Sequence, residues 1–330
     1  MGEDGTRNVE SDMQHNWPLI GHQPIKDYFA KAFSAGRIHH GYLFEGPEHV
    51  GKFTFAMMLA KTLLCEADDH PIPLLEKEGK RMKPCGLCRS CTAFDHGAHP
   101  DFLALVRQED DTTISVEAMR DYISALHTKP LLGKRRIGIM EEAQLMVAAG
   151  GNALLKTLEE PPGAAVLFLV TSRPVLPTIA SRCQRIRFGY VASEDIEKKF
   201  PPVSSEGILG RLASGRPGLA AALQEKSVAE SYQEKIHELS EVLSADEGAR
   251  LLWIAQRFSG RMATPQKRQE CKDILEIVQA IARQELYAPS AGKKLSVNLR
   301  REILSRTLEA ETYLKSNVDP RLICEYIFLT

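Results

Sequence analysis

The sequence predicts an α/β domain with a mostly parallel sheet, followed by all-helical domains. Three observations carry this. Short apolar runs alternate with helical patterns over the first 190 residues or so, which is the signature of a parallel sheet covered on both faces. A glycine-rich turn, Gly46 to Gly51, joins an apolar run to a helical pattern. After about Tyr190 no convincing strand pattern remains.

In chain order, the expected strands are Tyr42–Glu45, Phe102–Val106, Ile137–Met140, Val166–Thr171 and Ile186–Phe188. Each is a short apolar or β-branched run. The helices expected between them are Ile25–Ser34, Lys52–Leu64, Val116–His127 and Asn152–Glu159. In the second half, helical spacing runs through Glu206–Ala213, Gly218–Glu225, Ala229–Leu243, Glu247–Phe258, Pro265–Leu286, Val297–Lys315 and Pro320–Phe328. Pro201-Pro202 and Gly215-Arg216-Pro217-Gly218 break these patterns. Residues 1–16 are polar and acidic, without an apolar stretch of signal-peptide type, so they read as a disordered tail before a fold that starts at Trp17.

Acidic and basic side chains nearly balance, 43 against 42. That argues against a globally basic nucleic-acid binder. No apolar run is long enough to span a bilayer, and the expected location is cytoplasmic.

Gly46-Pro47-Glu48-His49-Val50-Gly51-Lys52-Phe53 matches the phosphate-loop pattern G-x-x-x-x-G-K-[ST] except at its last position. Glycines at Gly46 and Gly51 let backbone N–H groups curl toward phosphate, and the helix N-terminus adds positive potential. Lys52 would reach the outer phosphates. Phe53 stands where a hydroxyl would hold Mg²⁺. Thr54 is one residue late and points about 100° around the helix. Further on, the apolar run Ile137–Met140 ends in Glu141 and Glu142. An Asp at the first of these places helps bind Mg²⁺ in P-loop ATPases, and a Glu at the second activates water. Glu141 is a methylene longer, which weakens the metal geometry. Glu142 could still polarise water. With Phe53, Glu141 argues against efficient hydrolysis.

Four of the seven cysteines are Cys65, Cys85, Cys88 and Cys91. Four thiolates can close a tetrahedral zinc shell with no open position, which predicts a structural site. The intervening segment is proline-rich and charged, so metal would stabilise an insertion too small for its own core. Iron–sulfur ligation, a redox CxxC, and His96 or His99 in place of Cys65 are the rival readings.

Arg182, in Ser181-Arg182-Cys183, follows the Val166–Thr171 strand and a loop. An arginine at such a rim can neutralise charge on a phosphate held by a neighbouring subunit.

These motifs occur with Leu19-Ile20-Gly21-His22-Gln23, His39-His40-Gly41-Tyr42-Leu43-Phe44-Glu45-Gly46-Pro47 and the long run Asn152-Ala153-Leu154-Leu155-Lys156-Thr157-Leu158-Glu159-Glu160-Pro161-Pro162. On them, the chain resembles the delta-prime family of bacterial DNA polymerase III clamp-loader subunits, relatives of the AAA+ ATPases. The resemblance covers about Trp17 to Leu223; from Ser227 on it is architectural only. It implies an AAA+ P-loop core at 17–191 with the zinc module at 65–91, a small helical lid domain at 192–228, and a C-terminal helical bundle, the collar, at 229–330. It implies a stator-like subunit that supplies Arg182 to the ATP of an adjacent subunit. The partners implied are the motor subunits and delta in a hetero-pentamer, with the sliding clamp and primed DNA reached through the complex. The family places Arg216 facing nucleotide bound in cis and Ser172 near a sensor position. ATP or ADP binding at Gly46, Gly51, Lys52, Thr54, Glu141, Glu142 and Arg216, with little turnover and a poor Mg²⁺ site, is the reading that fits Phe53 and Glu141.

Two alternatives remain. One is an ATP-hydrolysing motor subunit of the same kind of loader, which the magnesium positions disfavour. The other is a zinc-dependent nucleic-acid module using Lys77, Lys80, Arg81, Lys83 and Arg89, a run that also reads as a solvated loop.

Overall fold

The computed structural model describes residues 19–66, 84–106, 113–200, 207–259, 264–287, 297–316 and 318–329. The expected tail at 1–16, the start at Trp17, the Pro201-Pro202 break and Lys77, Lys80, Arg81 and Lys83 lie outside them. The chain divides into two compact units, the first ending at Asp195 and the second beginning at Ile196.

The first unit is a five-stranded, fully parallel sheet in the order β2-β3-β4-β1-β5. Its strands are β1 (Gly41–Glu45), β2 (Phe102–Leu105), β3 (Ile137–Met140), β4 (Val166–Thr171) and β5 (Gln184–Arg187). The helices are α1 (Gln23–Ser34), α2 (Lys52–Leu64), α3 (Arg89–Asp95), α4 (Val116–Leu126), α5 (Ala148–Glu159), α6 (Pro177–Ala180) and α7 (Ser193–Glu197), the last straddling the boundary. Alternate residues feed two apolar layers, as the two-residue period of a strand requires. Tyr42, Phe44, Ile137, Ile139, Val166, Phe168 and Val170 pack on one face with Phe29 of α1 and Phe55 and Leu59 of α2. Leu43, Met140, Leu167 and Leu169 pack on the other with Met119, Tyr122 and Leu126 of α4 and Leu154 and Leu158 of α5. A central parallel strand with both faces covered is therefore apolar throughout, and all six residues of β4 are buried.

Several expectations shift. The last strand runs Gln184–Arg187, not Ile186–Phe188, because this edge strand buries only Ile186 and its ladder to β1 is carried by polar residues. Helix α5 starts at Ala148, four residues before Asn152. Its Gly150 and Gly151 are in place because a Cβ there would lie 2.8 Å from Met119 Cγ and 2.9 Å from Leu176 Cδ1. Helix α3 was not expected; the Cys88 sulfur caps it by accepting from the Cys91 N–H.

On β3, a Cβ at Gly138 would strike the Tyr122 hydroxyl and come within 2.9 Å of Leu126 Cδ2. Gly138→Ala should destabilise the first unit by about 1–3 kcal/mol through overpacking, read as a lower melting temperature. The double variant with Tyr122→Phe should recover part of that loss, because the hydroxyl is the first atom struck.

The second unit is all-helical: α8 (Ile208–Ala213), α9 (Pro217–Ala222), α10 (Lys226–Ser244), α11 (Glu247–Arg257), α12 (Thr264–Tyr287), α13 (Val297–Lys315) and α14 (Pro320–Phe328). Its core includes Leu212, Leu219, Leu239, Ile254, Ile274, Val278, Ile303 and Ile327. The expected lid–collar boundary at 228/229 falls inside α10, since that helix already begins at Lys226. No helix among the described residues is long and apolar enough to cross a membrane.

Candidate functional site

The phosphate loop leaves β1 at Glu45 and enters α2 at Lys52. Gly46 has φ 150° and Gly51 φ 95°, in the region that favours glycine. A Cβ at Gly46 would collide with the Phe188 carbonyl oxygen, and one at Gly51 would sit 2.8 Å from Leu19 Cδ1. His49 is also left-handed, at φ 61°. The loop is therefore tightly wound and held from outside by the segment after β5. Lys52 is buried, and its ammonium donates to Gly46 O at 2.8 Å and to Pro47 O. It caps the loop's own carbonyls and must turn from them to reach a phosphate.

Phe53 packs against the apolar layer of Phe44 and Phe55. Its ring is thus partly buried against the core, and Phe53 offers no hydroxyl at the metal-binding place. Thr54 is half-buried one position further along α2. Glu141 and Glu142 follow β3, with the Glu141 N–H donating to Leu105 O at 3.0 Å. Glu142 has φ 49° and ψ 48°, a left-handed conformation that costs a non-glycine residue of order 1 kcal/mol or more.

A polar network that the sequence did not reveal links the loop to the end of β4. Thr171 Oγ1 donates to Gln144 Oε1 at 2.7 Å and also contacts Arg173 O. Gln144 Nε2 donates to Ser172 Oγ at 3.3 Å. Ser172 Oγ donates to Glu48 Oε1 at 3.2 Å. Of these residues only Ser172 is singled out in the sequence, and its hydroxyl reaches the loop through Glu48.

The four cysteines converge: Cys65, Cys85, Cys88 and Cys91 place their sulfurs within 4.8 Å of one another. Two of the separations are 3.9 Å (Cys65–Cys88) and 3.8 Å (Cys85–Cys91). Four sulfurs about 2.3 Å from a tetrahedral zinc lie about 3.8 Å apart, so the donor set fits. Backbone N–H groups of Cys85, Leu87, Cys88 and Cys91 point at these sulfurs at 3.2–3.4 Å, which favours thiolates. Burial pushes the Cys91 thiol up.

His99 is buried, and both its ring nitrogens are engaged. The Asp101 N–H donates to Nδ1 at 3.0 Å. That leaves Nε2 as the donor to Ser90 Oγ at 2.6 Å, and the Ser90 hydroxyl donates to Leu64 O at 2.6 Å. Burial lowers the His99 pKa, consistent with a neutral ring. His99 is thereby removed as a rival ligand: it ties the module to the end of α2. Arg89 pairs with Glu66 at 2.9 Å.

Asp101 escaped the sequence reading. Burial alone would raise its pKa, but amides of Gly133, Leu131 and Leu132 at 2.6–2.8 Å, with Arg136, hold it below the usual carboxylate range. It fixes the loop before β3.

Arg182 lies between α6 and β5. Its Nε donates to Glu159 Oε1 at 2.8 Å and its Nη1 to Thr178 O at 2.9 Å. The pair is solvent-facing, with 34% and 49% side-chain exposure. Burial drives the neighbouring Cys183 thiol up to about 12, so it is inert. Arg216, in the second unit, donates to Glu276 at 2.6 Å.

The sheet order, the strand–glycine loop–helix and the helical second unit define an AAA+-type P-loop protein. A family model described as "DNA polymerase III, delta subunit" matches residues 21–192, more than half of the chain, and the chain belongs to that family. DNA polymerase III subunit delta' of Escherichia coli (strain K12) is 32% identical over 211 residues, covering 61% of this chain and 59% of that protein. DNA polymerase III subunit tau of Salmonella typhimurium is 31% identical over 223 residues, covering 64% of this chain and 33% of that protein. The chain thus spans less than two thirds of either relative. A solved structure of a DNA polymerase III gamma-subunit-related protein from Thermotoga maritima aligns with 92% of this chain and 97% of its own, at 19% identity and a TM-score of 0.39.

Proposed function

We propose that this chain is a stator-like subunit of a sliding-clamp loader, lending Arg182 to ATP held by an adjacent subunit while turning over little or none itself. One observation carries the reading: Lys52 is retained, yet Phe53, partly buried against the apolar core, occupies the position where a magnesium-binding hydroxyl would be needed. Without that hydroxyl, and with Glu141 in place of a shorter acid, a bound nucleotide lacks the metal contacts that phosphoryl transfer relies on. Gly46, Gly51, Lys52, Thr54, Glu141, Glu142 and Arg216 are the candidate contacts for ATP or ADP. Cys65, Cys85, Cys88 and Cys91 are the candidate ligands of a structural Zn²⁺, which supplies a crosslink and no chemistry. The helices from 192 to 228 would form the lid and those from 229 onward the collar that meets the motor subunits and delta. The clamp and primed DNA would be reached through that complex, in the cytoplasm.

The alternative reading is that the chain is itself a hydrolysing motor subunit, and the retained Lys52 favours it. Steady-state phosphate release separates the two. The isolated full chain, given ATP, Mg²⁺ and primed DNA, should show no turnover above background. Sustained turnover that Lys52→Ala abolishes would sink the stator reading and establish the motor.

A further inference from the structure

The phosphate loop carries a carboxylate of its own, and that carboxylate is aimed. Glu48 accepts the Ser172 hydroxyl at 3.2 Å, across 124 positions of sequence. Ser172 is oriented by Gln144 at 3.3 Å, and Gln144 in turn is fixed by Thr171 at 2.7 Å. Thr171 is the last residue of β4 and sits in register with Glu45, where β1 gives way to the loop. The network therefore lies at the carboxyl ends of β1 and β4, toward which the outermost phosphate of a nucleotide in such a loop extends.

We propose that Glu48 is a built-in charge block at the terminal-phosphate end of this loop, which makes the chain favour a nucleoside diphosphate over a triphosphate. The inference rests on the reading above that the loop can hold nucleotide. Two effects act together. The single Ser172 hydroxyl proton is directed at Glu48, so that donor is taken from any third phosphate. The carboxylate also brings a like charge to the place where that phosphate would sit. Inner phosphates lie further back, against the loop N–H groups and the N-terminus of α2, where attraction for anions is strongest and Coulomb repulsion from Glu48 has fallen with distance.

The test measures ADP and ATP affinity by calorimetry on the purified full chain, with and without Mg²⁺. The native chain should bind ADP about tenfold or more tightly than ATP, a difference of about 1.4 kcal/mol. Glu48→Gln keeps an acceptor for Ser172 and removes the negative charge. It should bring the two affinities to within about threefold, chiefly by strengthening ATP. Ser172→Ala leaves the carboxylate in place and should not improve ATP binding. Metal content and melting temperature of both variants should match the native chain, showing an intact fold. A native preference for ATP, a ratio unchanged in Glu48→Gln, or no nucleotide binding by either chain would each overturn the charge block. These outcomes leave the stator reading standing, since only ATP turnover by the isolated chain removes that.

Discussion

On the stator reading, Arg182→Ala should lower ATP hydrolysis at the neighbouring subunit's site by about a thousandfold or more, the range set by arginines that act across a subunit boundary. The energetic argument starts from where Arg182 is now. It is bound to Glu159 at 2.8 Å through Nε and to the Thr178 carbonyl at 2.9 Å. Both partners of the ion pair are substantially exposed, and pairs of that kind contribute only about 0–1 kcal/mol. Turning the guanidinium toward a neighbour's phosphate costs little, and a charge-assisted hydrogen bond to phosphate is far stronger in a drier site. Removing the side chain leaves no buried cavity, so assembly and melting temperature should be unchanged. Arg182→Lys should restore only a small part of the rate, because an ammonium lacks the planar fork that spans two phosphate oxygens. Glu159→Ala should leave the rate at least at the native level. Single-turnover hydrolysis in the reconstituted complex, alongside size-exclusion analysis, reads all three. A native rate in an assembled Arg182→Ala complex would take Arg182 out of the mechanism.

How far the sequence carried depended on whether a feature is local. Strands β3 and β4 were legible to the residue, because central parallel strands are apolar on both faces. Helix α2 was equally clear, bounded by Gly51 and by Cys65. Strand β5 starts two residues and ends one residue earlier than expected, because its stability comes from pairing with β1 and only Ile186 announces it. Gly150-Gly151 precede the expected helix start at Asn152 yet lie within α5, although glycine disfavours helices. In the fold they are where Met119 and Leu176 come close, and close approach outweighed propensity. The cysteine spacing foretold its cluster because the ligands are near in sequence. The Glu48–Ser172–Gln144 network joins three separate loops, and nothing in local composition connects them. Asp101 is a similar case: its amide partners lie about thirty residues away.

The second large effect should follow loss of one sulfur. Cys88→Ser should release the metal, unravel residues 84–95 and leave the sheet folded. Cys88 has two jobs: it approaches Cys65 at 3.9 Å within the cluster, and its sulfur caps the seven-residue helix α3. Isolated helices shorter than about 12–15 residues are marginal in water, so α3 depends on its anchors. One anchor is the cluster; metal in comparable small sites contributes on the order of 10 kcal/mol to folding. The others are Phe94, buried against the core and 4.6 Å from the Phe102 ring, and the His99–Ser90–Leu64 chain of hydrogen bonds. Ser90 anchors the first turn of α3 and Phe94 its far end, so damage should stop near Asp95. The native chain should contain about one zinc per molecule, and Cys88→Ser should contain essentially none. Protease cleavage should appear between residues 84 and 95 while the circular dichroism of the sheet persists. A colourless native protein with stoichiometric zinc excludes the iron–sulfur rival, and four thiols titratable only after chelation exclude a redox pair. A native chain purified under reducing conditions without metal, yet resistant to cleavage there, would show that α3 stands on Phe94 and His99 alone.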